Sequence, residues 1–393
     1  VLFIETMAEE KGRRAFLAAL ARVLKERSWL PLRPQKVEIQ DALRLQKSPP
    51  LYLTLLGLQN HTSTTAFLPV RVGPVREEAP GLFARSRPQE GYFYELSQDL
   101  GFYSFLLKRL KGGLEARSLR AYYRGHHPGP VPESLELLRP GLAAGEGVWL
   151  QVGLVQDGGL DRSLRLLPKL GLPWVLVPEG RLVWERGVEK RVLALTGRLP
   201  EGRPQEAFAL AQALAWEGMS RLQAHGTEGP GLGLLAEALK ELEAMARLLG
   251  VRLALLHRAL AEVEGGSGEG VFLLNRGLGA FLVVEGELCL VALGPQAPGA
   301  PVEDLVRVAY DLERAVELAW EGLEGAASEL PGMVAEFLGE ALRTAYQETA
   351  QKAISEAGWV EAMARCAKDQ LEREERPARL RIYERWQKRI PPA

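Results

Sequence analysis

Between Glu9 and Lys25 the apolar side chains fall at Phe16, Leu17, Leu20, Val23 and Leu24, the spacing that lays a single apolar stripe along a helix. Such a helix is expected to pack on a sheet. The period then changes. Alternating or continuous apolar runs at Lys36–Leu45, Leu51–Leu58 and Ala66–Val72, separated by Pro49-Pro50 and by polar Asn60–Thr65, predict antiparallel strands. Val75–Glu90 is rich in Pro, Arg and Glu, has no period and reads as a linker. A helix is expected over Tyr94–Leu110, stopped by Gly112-Gly113. Strands should follow at Val148–Val155, Trp174–Val177, Arg181–Trp184 and Arg191–Leu195, with Val177–Gly180 as a hairpin turn. Past Pro200–Pro204 long helices take over, at Gln205–His225, Leu232–Glu264, Val302–Leu323, Met333–Ala357 and Val360–Arg373. One β insert interrupts them, Val271–Leu274 and Phe281–Leu293, with Glu285-Gly286 as its turn. The pattern is that of an α+β chain with a β-rich first half and a helical second half, expected to form two lobes on either side of a cleft.

Composition narrows the partners. The chain has 393 residues, 47% hydrophobic and 25% charged, which excludes disorder and a fibrous repeat and leaves room for two or three domains. Lys+Arg at 49 against Asp+Glu at 50 gives a net charge of -1, so no global field draws it to nucleic acid or an anionic membrane. The longest apolar stretch, Val271–Leu293, is broken by Asn275, Arg276, Glu285 and Glu287 and is too polar to span a bilayer. No secretory signal opens the chain. Cys289 and Cys366 cannot build a disulfide framework, and neither has a partner at metal-ligand spacing; a reducing cytoplasm is the expected location. Asparagine occurs only at Asn60 and Asn275, and arginine outnumbers lysine about three to one, a bias compatible with heat adaptation. GC-rich coding produces a similar bias. The start at Val1 suggests a piece of a longer polypeptide.

The residues alone assemble no active site. Gly265–Gly270 is Gly-rich, but a phosphate cradle needs a strand before it and a helix N-terminus after it. Here a helix precedes and an apolar run follows, so a helix-to-strand loop is the better reading. His126-His127 are adjacent and point apart, with no further ligand at zinc spacing. His257 lies on the buried side of Leu253, Leu256 and Leu260, as a satisfied helix-face histidine. Ser267 lacks the glycine two places on that a nucleophile elbow requires, and Glu237 and Glu241 have the i,i+4 spacing of a solvated helix face.

Several segments in their order resemble the maltokinase family of ATP-dependent sugar kinases. Arg27-Ser-Trp-Leu30 resembles that family's Arg-Trp-Phe entry to an N-terminal cap, and Leu51–Gln59 followed by Phe67-Leu-Pro-Val70 resembles its cap hairpin. Gly277–Ala315 has the length and rhythm of the family's catalytic and metal loops running into a helix, on which Pro301, Asp304 and Leu305 match Pro, Asp and Val. Arg376-Pro-Ala-Arg-Leu-Arg-Ile382 resembles the closing Arg-Pro-Asp-Trp-Leu-Arg-Ile. The resemblance implies a two-lobed protein-kinase-like, aminoglycoside-phosphotransferase-like α+β fold. It divides as a cap subdomain over 1–88, an intermediate β-rich subdomain over 89–202 and a helical lobe over 203–393.

The family's chemistry is not matched. Phosphoryl transfer needs a base for the sugar hydroxyl and ligands for Mg²⁺. Where the resemblance places His-Gly-Asp-x-His-x-x-Gln, this chain has Leu273-Leu-Asn275-Arg-Gly-Leu-Gly-Ala280. Asn275 cannot take a proton and Ala280 cannot ligate a metal. A second metal carboxylate falls on Ala292, and the window Trp149–Leu167, where a nucleotide-binding Lys belongs, contains no lysine. Asp304 is the retained helix position. The resemblance therefore implies a pseudokinase with no catalytic residue, cofactor or metal. Because such kinases are also found fused behind trehalose synthases, the implied partner is a trehalose synthase catalytic domain in the same polypeptide, in a homo-oligomer, with this part serving stability or assembly. Two other readings stay open: an active maltokinase using displaced acids such as Asp304 or Asp311, and a carbohydrate-binding pseudokinase with Trp149, Trp174 or Trp216 as sugar platforms. Trp320, Trp359 and Trp386 are the candidate interface anchors of the first reading.

Overall fold

Residues 10–25, 27, 30, 34–47, 50–59, 63–73, 82–86, 91–112, 115–116, 119–123, 135–225, 231–264, 276–295, 299–321, 323, 329–373 and 376–390 are described by a computed structural model. The chain divides into two units, residues 1–164 with 176–203, and residues 165–175 with 204–393.

In the first unit, helix α1 (Glu10–Lys25) covers one face of a five-stranded antiparallel sheet of β1 (Lys36–Lys47), β2 (Pro50–Gln59), β3 (Ser63–Gly73), β4 (Leu82–Ser86) and β5 (Gly91–Glu95), in the order β1-β2-β3-β5-β4. The period of two splits β2 between two cores. Tyr52, Leu56 and Leu58 pack with Phe16, Leu20 and Leu24 of α1, where Phe16 meets Phe93 edge-on with ring centroids 4.8 Å apart. Leu51, Leu53 and Leu55 pack instead with Phe102, Tyr103, Leu106 and Leu107 of helix α2 (Leu100–Gly112). Burial on both faces is why this strand reads as a continuous apolar run. Its one polar core residue, Thr54, donates to the Leu68 carbonyl at 2.8 Å.

Two expectations fail here. Within Val75–Glu90, read as a linker, β4 forms a strand that pairs with β5, so the sheet runs across residue 88; the rest of that stretch lies outside the described residues. The helix expected from Tyr94 begins at Leu100, because Asp99 caps it by accepting from the Phe102 N–H at 3.1 Å, and Gly91–Glu95 is a strand.

The same unit carries a seven-stranded sheet, in the order β6-β7-β11-β12-β10-β9-β8. Its strands are β6 (Glu115–Ala116), β7 (Leu119–Tyr123), β8 (Glu136–Arg139), β9 (Leu142–Gly145), β10 (Val148–Val152), β11 (Pro178–Arg186) and β12 (Glu189–Gly197), with helix α3 (Gly159–Leu166) following β10. Val177–Gly180 is not the hairpin turn. Pro178 already pairs with Gly197 and Gly180 with Thr196, and the register shift between them absorbs the extra residue as a bulge. The turn is Gly187-Val188, where Gly187 takes φ +61°. Trp174–Val177 is no strand either: Val175 makes only an isolated bridge to Leu290.

The second unit contains helices α4 (Ala207–His225), α5 (Gly231–Ala238), α6 (Lys240–Glu264), α7 (Val302–Glu321), α8 (Leu330–Ala350), α9 (Glu356–Arg373) and α10 (Pro377–Gln387). A three-stranded antiparallel sheet joins them, from β13 (Pro204–Glu206), β14 (Phe281–Val284) and β15 (Glu287–Leu290). The expected turn at Glu285-Gly286 is present, with φ +49° and +80°, the conformation of a tight type I′ hairpin. Val271–Leu274 lies outside the described residues. Helix α6 crosses α8 at Gly250, where a Cβ would stand 2.3 Å from the Leu342 carbonyl oxygen; only glycine permits that approach. The helix expected over Leu232–Glu264 is two helices broken at Leu239. That expected over Met333–Ala357 ends at Ala350, where Gln351 takes the left-handed conformation at φ +53° and the next helix begins at Glu356. Helix α10 was not expected.

Candidate functional site

The segment 276–280, where the resemblance places a catalytic loop, forms a single 3₁₀ turn over Gly277–Ala280 that leads into β14. Gly277 adopts φ +47°, and a Cβ there would collide with the Asp311 carboxylate and sit 3.1 Å from Arg307 Nε. The absence of a side chain lets the loop lie directly on α7. Asp311 then fastens it, Oδ2 accepting from the Leu278 N–H at 3.0 Å. Asp311 is itself held by Arg307 at 3.4 Å and Arg314 at 3.9 Å, on the same helix face at i−4 and i+3. Arg307 is buried, and beside it burial pushes the Cys366 thiol up to about 11. The far end of the loop is tied by the Val291 N–H, which donates to the Ala280 carbonyl at 2.9 Å.

Ala280 and Ala292 are both fully buried, among Phe281, Val291 and Leu293. Methyl groups in an apolar setting offer no ligand, so these positions do not fit a Mg²⁺ ion. Asn275 lies outside the described residues, as do Gly265–Gly270, Ser267 and His126-His127. Asp304, in the first turn of α7, is completely buried and receives His257 Nε2 at 3.1 Å, while Nδ1 of the same imidazole lies 3.0 Å from the Tyr346 hydroxyl. Burial, reinforced by the Asp304 carboxylate, raises the Tyr346 phenol to about 12. The chain of Tyr346, His257 and Asp304 pins α8, α6 and α7 together. His257 is thus the buried helix-face histidine that its apolar neighbours indicated; its two partners lie 47 and 89 residues away and no local pattern signals them.

The tryptophans divide by burial. Trp149 is entirely enclosed in the first unit, and Trp359 and Trp386 lie in the core of the second. Trp149 presents no face to a sugar, which corrects its reading as a platform, and the burial of Trp359 and Trp386 in the helical core weighs against their reading as interface anchors. Trp320 is partly buried against the same core, and Trp174 is covered by Arg252, 5.2 Å from its ring centroid. Trp216 is about half exposed. Among the described residues, no three His, Cys, Asp or Glu side chains come together to hold a metal ion, and no helix is long and apolar enough to cross a membrane.

The architecture is that of a kinase fold. A glucosamine kinase in complex with glucosamine, ADP and inorganic phosphate superposes with a TM-score of 0.51 at 12% identity, over 91% of this chain and 94% of that one. A second crystal form of a glucosamine kinase gives 0.52 at 13% identity, over 90% and 94%. In sequence the chain is similar to a trehalose synthase of Thermus thermophilus, 61% identical over 388 residues, which are 98% of this chain. It spans only 40% of that relative's length. No family model matches.

Proposed function

We propose that this chain is a non-catalytic, maltokinase-like part of a trehalose synthase polypeptide, placed behind the catalytic domain and acting in its stability or assembly rather than in phosphoryl transfer. The observation that carries the reading is the state of the loop at 276–280. At Ala280 and Ala292, where the resemblance calls for metal ligands, there are buried methyl groups, and the backbone is clamped by Asp311 to a structural arginine pair. The 61% identity over nearly the whole chain supports the link to a trehalose synthase, and the kinase fold supports descent from a sugar kinase. The alternative, a working maltokinase using Asp304 or Asp311, is weakened by what those carboxylates already do: Asp304 is committed to His257 and Asp311 to Leu278 and Arg307.

A part that binds only the native state of its neighbour stabilises that state by mass action. Removing residues 1–393 from the parent protein should therefore lower the melting temperature of the trehalose synthase part, or reduce its oligomer order in sedimentation, while its catalytic residues stay intact. An unchanged melting temperature together with an unchanged oligomer would rule the scaffold role out.

A further inference from the structure

Helix α4 runs for its first ten residues, Ala207–Trp216, without a charged side chain, and Gln212 is the one strongly polar group among them. Ala207, Ala211, Ala215 and Met219 form its inner stripe, fully buried in the helical core. On the outer side Ala209, Ala213 and Trp216 are exposed at the i, i+4, i+7 spacing of one helix face, Trp216 by 51%. The first charges, Glu217 and, a turn later, Arg221, pair with each other. A helix that borders water ordinarily turns charged residues outward, whereas one that is apolar all round is covered on both sides. The other long helices of this unit follow that rule: Arg247 pairs with Glu243 on α6, Glu303 of α7 with Arg365 of α9, and Arg381 of α10 with Glu321. The first ten residues of α4 depart from it.

We propose that the face of Ala209, Ala213 and Trp216 is where this chain docks on the catalytic part of the same trehalose synthase polypeptide, against an apolar patch there. The inference rests on the reading of the chain as part of such a polypeptide and adds the place of contact. Length and area select the occupant. The chain spans 40% of its trehalose synthase relative, which leaves the larger share of such a polypeptide as the neighbour. Ten helical residues offer a face of about 150 Å², against roughly 800 Å² per partner in a stable complex of separate molecules. A second copy would not be held by this stripe. A covalently joined neighbour is present at an effective concentration on the order of millimolar, at which a small apolar contact centred on a tryptophan suffices.

Both native cysteines are buried, so Ala213→Cys places one reactive thiol on the face. Its alkylation by iodoacetamide, read at that residue by mass spectrometry, should be at least about tenfold slower in the parent polypeptide than in the 393-residue chain alone, as for a contact that opens only rarely. Adding Trp216→Glu to the parent should restore the rate of the isolated chain, while the isolated chain keeps its melting temperature because Trp216 is half exposed there. Equal rates in chain and parent overturn the proposal even if truncation lowers the melting temperature of the parent, so the face can fail while the scaffold role stands. Slow alkylation in the parent with no effect of truncation supports the contact and removes the scaffold role. Protection that Trp216→Glu does not relieve overturns the proposal, and protection that grows with the concentration of the isolated chain assigns the face to a second copy instead.

Discussion

Asp311 shows how one carboxylate settles the character of a loop. It accepts from the Leu278 N–H, neutralises buried Arg307 and touches Arg314, and Gly277 must lack a side chain for it to do so. Removing one partner of a buried pair strands the other charge, which costs roughly 3–5 kcal/mol. Asp311→Ala should therefore lower the unfolding free energy by that order in urea titration, and Asp311→Asn, which keeps an acceptor for Leu278, by less. A loss below about 1 kcal/mol for Asp311→Ala would mean that the clamp is a surface-like pair of little consequence. The i,i+4 spacing of Arg307 and Asp311 is visible in the sequence, but their burial and the reach of Asp311 back to residue 278 are not. That Ala280 and Ala292 stand at the metal positions of a kinase loop is, by contrast, an implication of the resemblance, carried by the order of segments around them; what the structure adds is their burial.

Among the elements, α10 is fastened to α7 by a ladder of buried and half-buried charges. Arg381 binds Glu317 at 2.7 Å and Glu321 at 2.6 Å, Arg385 binds Glu317 at 2.5 Å and also Glu313, and Trp386 Nε1 donates to Glu313 at 2.8 Å. Burial raises the Glu313 carboxyl to about 7, against the opposing pull of Arg385. Its folded value thus lies above its unfolded one, so the folded state holds the extra proton between the two. The resulting stability is fully present below the unfolded value and is lost as pH rises through about 7. Melting curves from acidic to neutral pH should show a Glu313-dependent decline of at most about 3 kcal/mol. In Glu313→Gln that decline should flatten; an unaltered pH profile in the variant would show that Glu313 is ionised throughout.

This ladder also explains why α10 escaped the sequence reading: its sequence, Pro-Ala-Arg-Leu-Arg-Ile-Tyr-Glu-Arg-Trp-Gln, carries a weak apolar stripe, and its arginines are tertiary partners rather than a solvated face. Elements whose burial follows their own period were legible, α1 and β2 among them. Those decided by distant pairing were not. Strand β11 overrode a Pro-Glu-Gly turn signal at residues 178–180, and the helix break at Gln351 carries neither Gly nor Pro to mark it.

For the molecule as a whole, the proposed reading is a kinase fold that has lost its chemistry. The fold is shared with glucosamine kinases at 12–13% identity, whereas Ala280 and Ala292, where the resemblance calls for metal ligands, are buried alanines. Packing constrains a fold through many small contributions, while phosphoryl transfer depends on a few groups, each worth about 10³-fold or more. Fold can therefore persist where activity has gone. The most direct test is a coupled ADP-release assay of the chain with Mg-ATP and maltose. The account predicts release at the background of ATP hydrolysis, unchanged by Asp304→Asn. Maltose-dependent turnover that scales with protein concentration and disappears on Asp304→Asn in a folded variant would contradict it.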